Sequence, residues 1–364
     1  MLSLSSLILP ALVALGVLTG IAVVDTQTVF LRTITIPGSM SGMGYTSAVV
    51  ESRIAENLQR MEREARTRPE TRRLALESEE RPLELIADYL NLTTFVRAMQ
   101  NTSGLIEFSV QANIVEDGDH YLMRLSIVHR GGSAATQSVR KPRADVEGLL
   151  RDTALMILLV VDPQVVCAGI LRRYLESAVG AVDDVVDCIE RTLTIARPND
   201  RIWLHNLAGV AQFLKRDHAG AAEQFGRALR LDPDFSPALL NLGIMFALDG
   251  RHEEAIKFYR DVFPNPTIGE SPQTYAAAYM EWGNSLIALG RGGEAEEKFA
   301  AAVRADPQFA ATYFRWAETL PPGDRAEELR QLGRMAVRQN AQIYTENLVG
   351  VVRASQGRVA AASP

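Results

Sequence analysis

Residues 236–263 read SPALLNLGIMFALDGRHEEAIKFYRDVF. Two apolar patterns of helical period flank the turn at Gly250, which supplies a residue that enters the left-handed region cheaply. Gly243 lies on the first helix, A, and Ala255 on the second, B. Tyr259 follows one turn after Ala255, and Val262 three residues later. Stepping back 34 residues gives Gly209, Ala221, Phe225 and Ala228; stepping forward 40 gives Gly283, Ala295, Phe299 and Ala302. Small side chains on both helices let the two backbones approach closely, and the aromatic residues are expected to fill the gap between one hairpin and the next.

A small–small–aromatic–small frame on a 34-residue period identifies these segments as tetratricopeptide repeats. Leu239, Leu242, Gly243, Phe246, Gly250, Ala255 and Tyr259 match that family's pattern nearly position for position. The first repeat is read from about Ile202 to Phe235, the second from Ser236 to about Phe263, and the third from Ala276 to Phe309. Asp232-Pro233 and Asp306-Pro307 close B helices, because proline cannot continue a helix and restricts its predecessor. The extra residues of the longer step fall between Phe263 and Tyr275, a proline-rich stretch expected to be a loop. A degenerate fourth hairpin follows, with Tyr313 and Trp316 on its first helix, Pro321-Pro322-Gly323 at the turn and 326–337 as its second helix. Residues 341–352 are expected to cap the stack, since a solenoid needs a finished end. Upstream, 163–176 and 182–195 read as a divergent hairpin that Arg197-Pro198-Asn199-Asp200 terminates.

The chain has 364 residues, an apolar fraction of 47% and a formal net charge of −6. That length suits two or three structural units, and the charge, without a basic tail, argues against nucleic acid as the main partner. Leu7 to Val24 runs without a charged residue, near the lower limit for spanning a bilayer as a helix. An uncleaved anchor is the favoured reading. A cleaved signal peptide, with small residues at Gly20-Ile21-Ala22, and a buried helix are the alternatives. The first basic residue is Arg32, so the charge rule is nearly silent on orientation.

Residues 25–160 read as a separate α/β domain. Thr28 to Ile36 alternates like a strand, Gly38 to Gly44 is a loop, and Val50, Ile54, Leu58 and Met61 share one helical face. A second helix is expected over 83–99. Strands are expected over 105–115, with Ile106, Phe108, Val110 and Ala112 on one side, and over 121–129, with Tyr121, Met123, Leu125 and Ile127 on one side. Glu116-Asp117-Gly118-Asp119 is their hairpin turn. A third helix covers 146–160. The glycine loop lacks the Gly-Lys-Ser/Thr of a phosphate loop and a dinucleotide fingerprint.

The expected architecture is therefore multi-domain: an amino-terminal transmembrane helix or signal segment (1–24), the small α/β domain (25–160), a divergent hairpin (161–201), an all-α solenoid with a capping helix (202–353) and a tail (354–364). In Ile34-Thr35-Ile36-Pro37, Gly44-Tyr45-Thr46, Val49-Val50, Arg53-Ile54 and Trp203 to Gly209 the chain resembles a group of uncharacterised bacterial membrane-anchored tetratricopeptide proteins. The α/β part looks distantly like the amino-terminal domain of Tol-Pal-type periplasmic proteins, at the level of topology. The resemblance implies an architecture and a bacterial envelope compartment more than a function.

Candidate chemistry is sparse. The histidines His120, His129, His205, His218 and His252 show no metal-ligand spacing, the acidic clusters Asp183-Asp184-Asp187 and Glu294-Glu296-Glu297 lack calcium-loop spacing, and no nucleophile motif is present. No catalytic residue, metal site or cofactor is expected. Cys167 and Cys188 fall at matching levels on the two helices of the divergent hairpin. They are either disulfide-bonded in an oxidising compartment or two buried small apolar side chains. The partner-binding groove is placed on the A helices, at Asn206, Val210, Phe213 and Leu214, at Leu240, Ile244, Ala247 and Leu248, and at Met280, Asn284, Ile287 and Ala288. That surface is mostly apolar and suits an amphipathic helix or apolar peptide, unless part of it is core or is covered by the terminal helix. Asn241 alone fits a carboxylate clamp, so that clamp is rejected.

The function expected is a non-enzymatic, membrane-anchored scaffold that binds proteins in a bacterial envelope complex, single-pass in the inner membrane with its soluble part in the periplasm. The alternatives are a cytoplasm-facing adaptor and a ligand-sensing or enzymatic role of the α/β domain. Binding partners are protein at the repeats and lipid at Leu7–Val24, without nucleic acid.

Overall fold

The structure, a computed structural model, describes residues 29–65, 74–76, 108–129, 132, 134–177, 180–194, 196–263 and 272–339. The expected segment Leu7–Val24, the helix over 83–99, most of the loop between Phe263 and Tyr275, the terminal helix over 341–352 and the tail lie outside these residues. The chain divides into two compact units, one comprising Met1–Met61 and Thr71–Asp162, the other Glu62–Glu70 and Pro163–Pro364.

The first unit is built on a five-stranded mixed sheet of order β2-β1-β3-β4-β5. Its strands are β1 (Val29–Leu31), β2 (Leu74–Leu76), β3 (Phe108–Asp117), β4 (His120–His129) and β5 (Ala134–Pro142). β1 runs parallel to both β2 and β3, and β3, β4 and β5 are successively antiparallel. Asp117 pairs with His120 across a two-residue turn whose first residue, Gly118, has φ 59°. A positive φ at that position suits the right-handed twist of the flanking strands. Phe108, Val110, Ile114, Tyr121, Met123, Leu125, Ile127 and Val139 are buried on one face of the sheet, which follows from the period of two along each strand.

Helix α1 (Gly38–Gly42) stands where the sequence suggested a loop. Pro37 pre-sets the turn into it, and Ser39 holds it to the sheet by donating to Glu116 Oε1 at 2.5 Å and bonding the Tyr121 hydroxyl at 2.8 Å. Helix α2 (Ser47–Ala65) buries Val50, Ile54 and Leu58, and α3 (Val146–Val161) packs on β4 and β5 with Leu149, Leu150, Ala154, Ile157 and Leu158. Asp145 caps α3 by accepting the Gly148 N–H at 3.0 Å.

The sequence reading missed β2 and β5. β5 escaped because Ala134, Thr136, Ser138, Arg140 and Pro142 are all exposed, and Val139 is its only buried residue, so no apolar alternation marks it.

The second unit is a run of helical hairpins. α4 (Pro163–Ser177) and α5 (Val182–Leu193) form the divergent hairpin. α6 (Pro198–Leu214) with α7 (His218–Leu231), α8 (Ser236–Leu248) with α9 (His252–Asp261), and α10 (Pro272–Ala288) with α11 (Gly292–Ala305) are the three repeats. α12 (Ala310–Thr319) and α13 (Asp324–Gln339) complete the fourth hairpin. Partners in each hairpin pack together, each B helix touches the next A helix, and the A helices α8, α10 and α12 touch in turn.

Pro198 opens α6 instead of ending the preceding hairpin. Proline is tolerated at the first helical position, where its missing N–H is not needed, and Arg197 Nε donates to Asp200 Oδ2 at 2.6 Å across that first turn. Among the described residues no single helix is long and apolar enough to cross a membrane.

Candidate partner-binding surface

The rotation of each A helix is set by its glycine. A Cβ built on Gly209 would lie 2.4 Å from Phe225 Cε1, one on Gly243 2.4 Å from Tyr259 Cε1, and one on Gly283 2.8 Å from Phe299 Cε1. Each ring thus lies flush on the glycine of its own repeat, which corrects the expectation that the rings mainly fill the space between hairpins. Contact with the following hairpin also occurs, as Phe299 and Trp316 stack at 6.4 Å. In the fourth hairpin the two roles trade helices. Gly333 on α13 faces Phe314 on α12, with a built Cβ 2.9 Å from Phe314 Cζ. Pinning the glycine against helix B fixes which other residues of helix A face solvent.

That rotation splits the expected groove residues in two. Asn206, Val210, Leu240, Ile244 and Met280, toward the amino-terminal and middle parts of the A helices, are buried. They are packing residues, and no partner reaches them without moving a helix. Toward the carboxyl ends the side chains emerge. Phe213, Leu214, Ala247 and Asn284 are half-buried, Ala288 is exposed, Leu248 is 55% exposed and Ile287 is 38% exposed. Phe213, Ala247 and Ile287 are equivalent positions in successive repeats, as are Leu214, Leu248 and Ala288. The accessible part of the surface is therefore an apolar strip crossing three helix ends.

Asn241 donates from Nδ2 to Asn206 Oδ1 at 2.9 Å, and both are buried. This pair joins α8 to α6 inside the stack, where hydrogen bonding is required of a buried amide. Sequence reasoning treated the two residues separately, because their separation of 35 is one more than the repeat period. Farther along, Asn284 donates to Glu281 Oε2 at 3.1 Å. The neighbouring Tyr259 hydroxyl has its pKa pushed well above the ordinary value, first by burial and then by the Glu281 charge. It therefore stays neutral across physiological pH.

A second accessible group went unread in the sequence. Phe263 stacks on Tyr279 with centroids 4.1 Å apart, and Tyr275 and Trp282 lie 5.7 and 6.5 Å from the same ring. Lys298 Nζ sits 3.8 Å from the centroid of Trp282. All five side chains are half-buried. The signal was available, since Tyr279 and Trp282 stand 40 residues after Leu239 and Leu242 and replace those two leucines with larger, amphipathic rings.

Cys167 and Cys188 are joined by a disulfide with a Cα–Cα separation of 5.6 Å, tying α4 to α5. Among the described residues no three His, Cys, Asp or Glu side chains converge to hold a metal ion. His205 Nδ1 is bonded to Gln224 Oε1 at 2.9 Å, and His218 stacks on Phe213 at 5.2 Å. Asp183 is paired with Lys215 at 2.7 Å, and Asp184 accepts the Ala181 N–H at 2.8 Å. These acidic residues are occupied with helix ends and surface pairing.

Comparison with known proteins agrees with the repeat frame. Residues 207–266 match the family model described as tetratricopeptide repeat. The chain is 27% identical over 173 residues to the photosystem I assembly protein Ycf3 of Acaryochloris marina (strain MBIC 11017), covering 45% of this chain and 97% of that protein. Among solved structures, pilF of Pseudomonas aeruginosa aligns with a TM-score of 0.38 and 17% identity, over 50% of this chain and 76% of that one. PilW, titled a widely conserved type IV pilus biogenesis factor, aligns with a TM-score of 0.40 and 18% identity, over 49% and 79%.

Proposed function

We propose that this chain is a non-enzymatic scaffold of the bacterial envelope, held in the inner membrane by Leu7–Val24, with its repeats in the periplasm gathering a protein partner into a complex. The observation that carries the binding role is the strip of Phe213, Leu214, Ala247, Leu248 and Ile287, half-buried or exposed apolar side chains at the ends of three successive A helices, with Leu248 and Ile287 the most open. Scattered exposed apolar residues are ordinary, but an aligned row marks an interaction surface. An amphipathic helix fits it, because residues at i, i+3, i+4 and i+7 present a matching row of side chains. The similarity to a relative named for assembly, covering 97% of that relative, supports the same kind of role.

The periplasmic side is supported by the Cys167–Cys188 bond, since disulfides persist in oxidising compartments and are rare in the cytosol. Protease added to spheroplasts of the producing cell tests this placement. Cleavage of the repeats is expected, and repeats that stay shielded until the membrane is lysed would contradict it. The binding role is tested by a photo-crosslinking residue at position 248, compared with one at Arg227 on the exposed side of α7. A discrete adduct is expected from 248 alone, and equal adducts from both positions would refute the strip.

A further inference from the structure

Among the described residues, the outer edge of β5 is an open row of backbone hydrogen-bonding groups. Which residues contribute that row follows from two separate observations. Arg32 donates to the Val110 carbonyl at 2.9 Å and Ile114 donates to the Thr35 carbonyl at 2.8 Å, so the even-numbered residues of β3 turn their backbone groups toward β1. Their odd-numbered neighbours then face β4. The two-residue turn closing on the Asp117–His120 pair demands the same assignment. Even-numbered residues of β4 therefore bond to β3, and the odd ones, Tyr121, Met123, Leu125 and Ile127, bond to Lys141, Val139, Gln137 and Ala135 of β5. What remains points outward: the backbone groups of Ala134, Thr136, Ser138 and Arg140. Among the described residues none supplies a partner to these four, while the Pro142 carbonyl at the end of the strand accepts the Asp145 N–H at 2.9 Å. Pro142 fits the assignment, since proline on a sheet is confined to positions whose N–H would face away from the ladder.

A nine-residue edge of this kind is a template for another strand. Natural edges are blunted by charge, proline or a bulge, and here the blunting residues Arg140, Lys141 and Pro142 sit at one end only. The two charges are also already matched, Arg140 with Asp117 at 2.7 Å and Lys141 with Asp152 at 2.7 Å. From Ala134 to Ser138 the outward side chains are small and neutral.

We infer that the occupant of this edge is β5 of a second copy of the chain, running antiparallel about a two-fold axis at Ser138. In that register Ser138 faces its own counterpart, Thr136 faces Arg140, and Ala134 faces Pro142. Outward residues meet outward residues, as a hydrogen-bonded pairing requires, and each basic residue meets a small neutral one, so no like charges oppose each other. The two sheets become one continuous sheet. Self-pairing is favoured over an unrelated peptide because the row offers main-chain bonds without side-chain pockets, and pockets are what select a foreign sequence in strand addition. A two-fold interface is also the commonest way a soluble chain closes on itself. This association uses the sheet unit and does not depend on what the repeats bind.

The test is oxidative cross-linking of the full-length chain carrying Ser138→Cys, read as covalent dimer on a non-reducing gel, with Arg124→Cys as the reference. Across the proposed axis the two Cα atoms at position 138 are about 5.5 Å apart, within disulfide range. Position 124 is exposed on the same sheet face one strand back, which places its counterpart three strand spacings away, roughly 14 Å. Dimer from Ser138→Cys is expected at about ten times the Arg124→Cys yield or more. Adding Thr136→Pro, which removes one outward N–H and leaves the bonds to β4 intact, is expected to bring it down to the reference level. If Thr136→Pro unfolds the unit, Ser138→Lys replaces it. It sets two like charges opposite each other, and the full-length chain should then sediment as the smaller species. Equal yields from positions 138 and 124 would overturn the inference, as would a dimer that survives either edge substitution. Slow hydrogen exchange at the Ser138 amide without any covalent dimer would also overturn it, since another protein's strand would then hold the edge.

Discussion

Helix α8 of the middle repeat and strand β5 of the sheet unit both reach the surface, and they expose different parts of the chain. Every backbone group in the middle of α8 is bonded within its own helix, so what emerges at its carboxyl end is the side chain of Leu248. β5 completes its ladder to β4 through one row of backbone groups and leaves the other row without a partner among the described residues, while the side chains of that outer row are small, except for Arg140, which is already paired. A solenoid therefore recognises partners by side-chain shape and hydrophobicity, and an open sheet edge recognises them by backbone geometry. The two regions also fail differently. A defect in a repeat is felt by its neighbours in the stack, whereas a defect in β5 is felt in the ladder to β4 and in the packing of α3.

The largest effect is expected at the amino-terminal end of the helical unit. Replacing Cys188 by Ala removes a cross-link between residues 21 apart, and the chain-entropy model puts the loss at about 3 kcal/mol. Denaturant unfolding with and without reductant measures it, and the substituted chain should no longer respond to reductant. Next comes Gly243→Ala, whose new methyl collides with the Tyr259 ring, with an expected destabilisation of about 2 kcal/mol. Gly226→Ala is the contrast within the same architecture. Its Cβ meets nothing nearer than Arg230 Nη1 at 3.6 Å, so the substitution should stabilise by about 0.5–1 kcal/mol. If both glycines respond with the same sign, the packing account of the frame is wrong.

A gain of about 1 kcal/mol is expected from Arg216→Gly. Arg216 holds φ 63° at the A–B turn of the first repeat, where Gly250 and Gly290 hold φ 76° and 75° in the next two. Thermal unfolding checks it, and a loss of stability would mean that the arginine side chain outweighs its backbone strain. The smallest change is expected on the sheet side, where Thr136→Pro should stay within about 1 kcal/mol of neutral because its N–H points away from β4. Val139→Ala, three residues on and buried, should cost about 2 kcal/mol.

How much of this was legible in the sequence also divides along the two regions. In the repeats, contacts are local and recur, so Gly209, Gly243 and Gly283 mark the helix crossings in the sequence itself. The hairpins α4–α5 and α12–α13 were also placed within a few residues. The rotation of the A helices was not legible. Leu240 and Leu248 look equally apolar in the sequence, and only the glycine–aromatic contact decides that one is buried and the other is not. The stacked group around Phe263 went unread, although the 40-residue step aligns Tyr279 and Trp282 with Leu239 and Leu242. In the sheet unit, β3 and β4 were read from their alternation, and β1 was read as part of a longer strand over Thr28 to Ile36, but β5 carries a single buried residue and β2 is three residues long, too short for any pattern to accumulate.

The strip across the helix ends is the claim on which the functional reading rests, and a paired substitution tests it most directly. The full-length chain carrying Leu248→Glu and Ile287→Glu is compared with Arg227→Glu and the unaltered protein by quantitative affinity purification from solubilised membranes, with thermal unfolding of each. Both positions are already in water, so the double substitution should leave the unfolding temperature in place and remove the partner, while Arg227→Glu retains it. A partner recovered equally well with Glu at 248 and 287, in a protein of unchanged stability, would contradict the account.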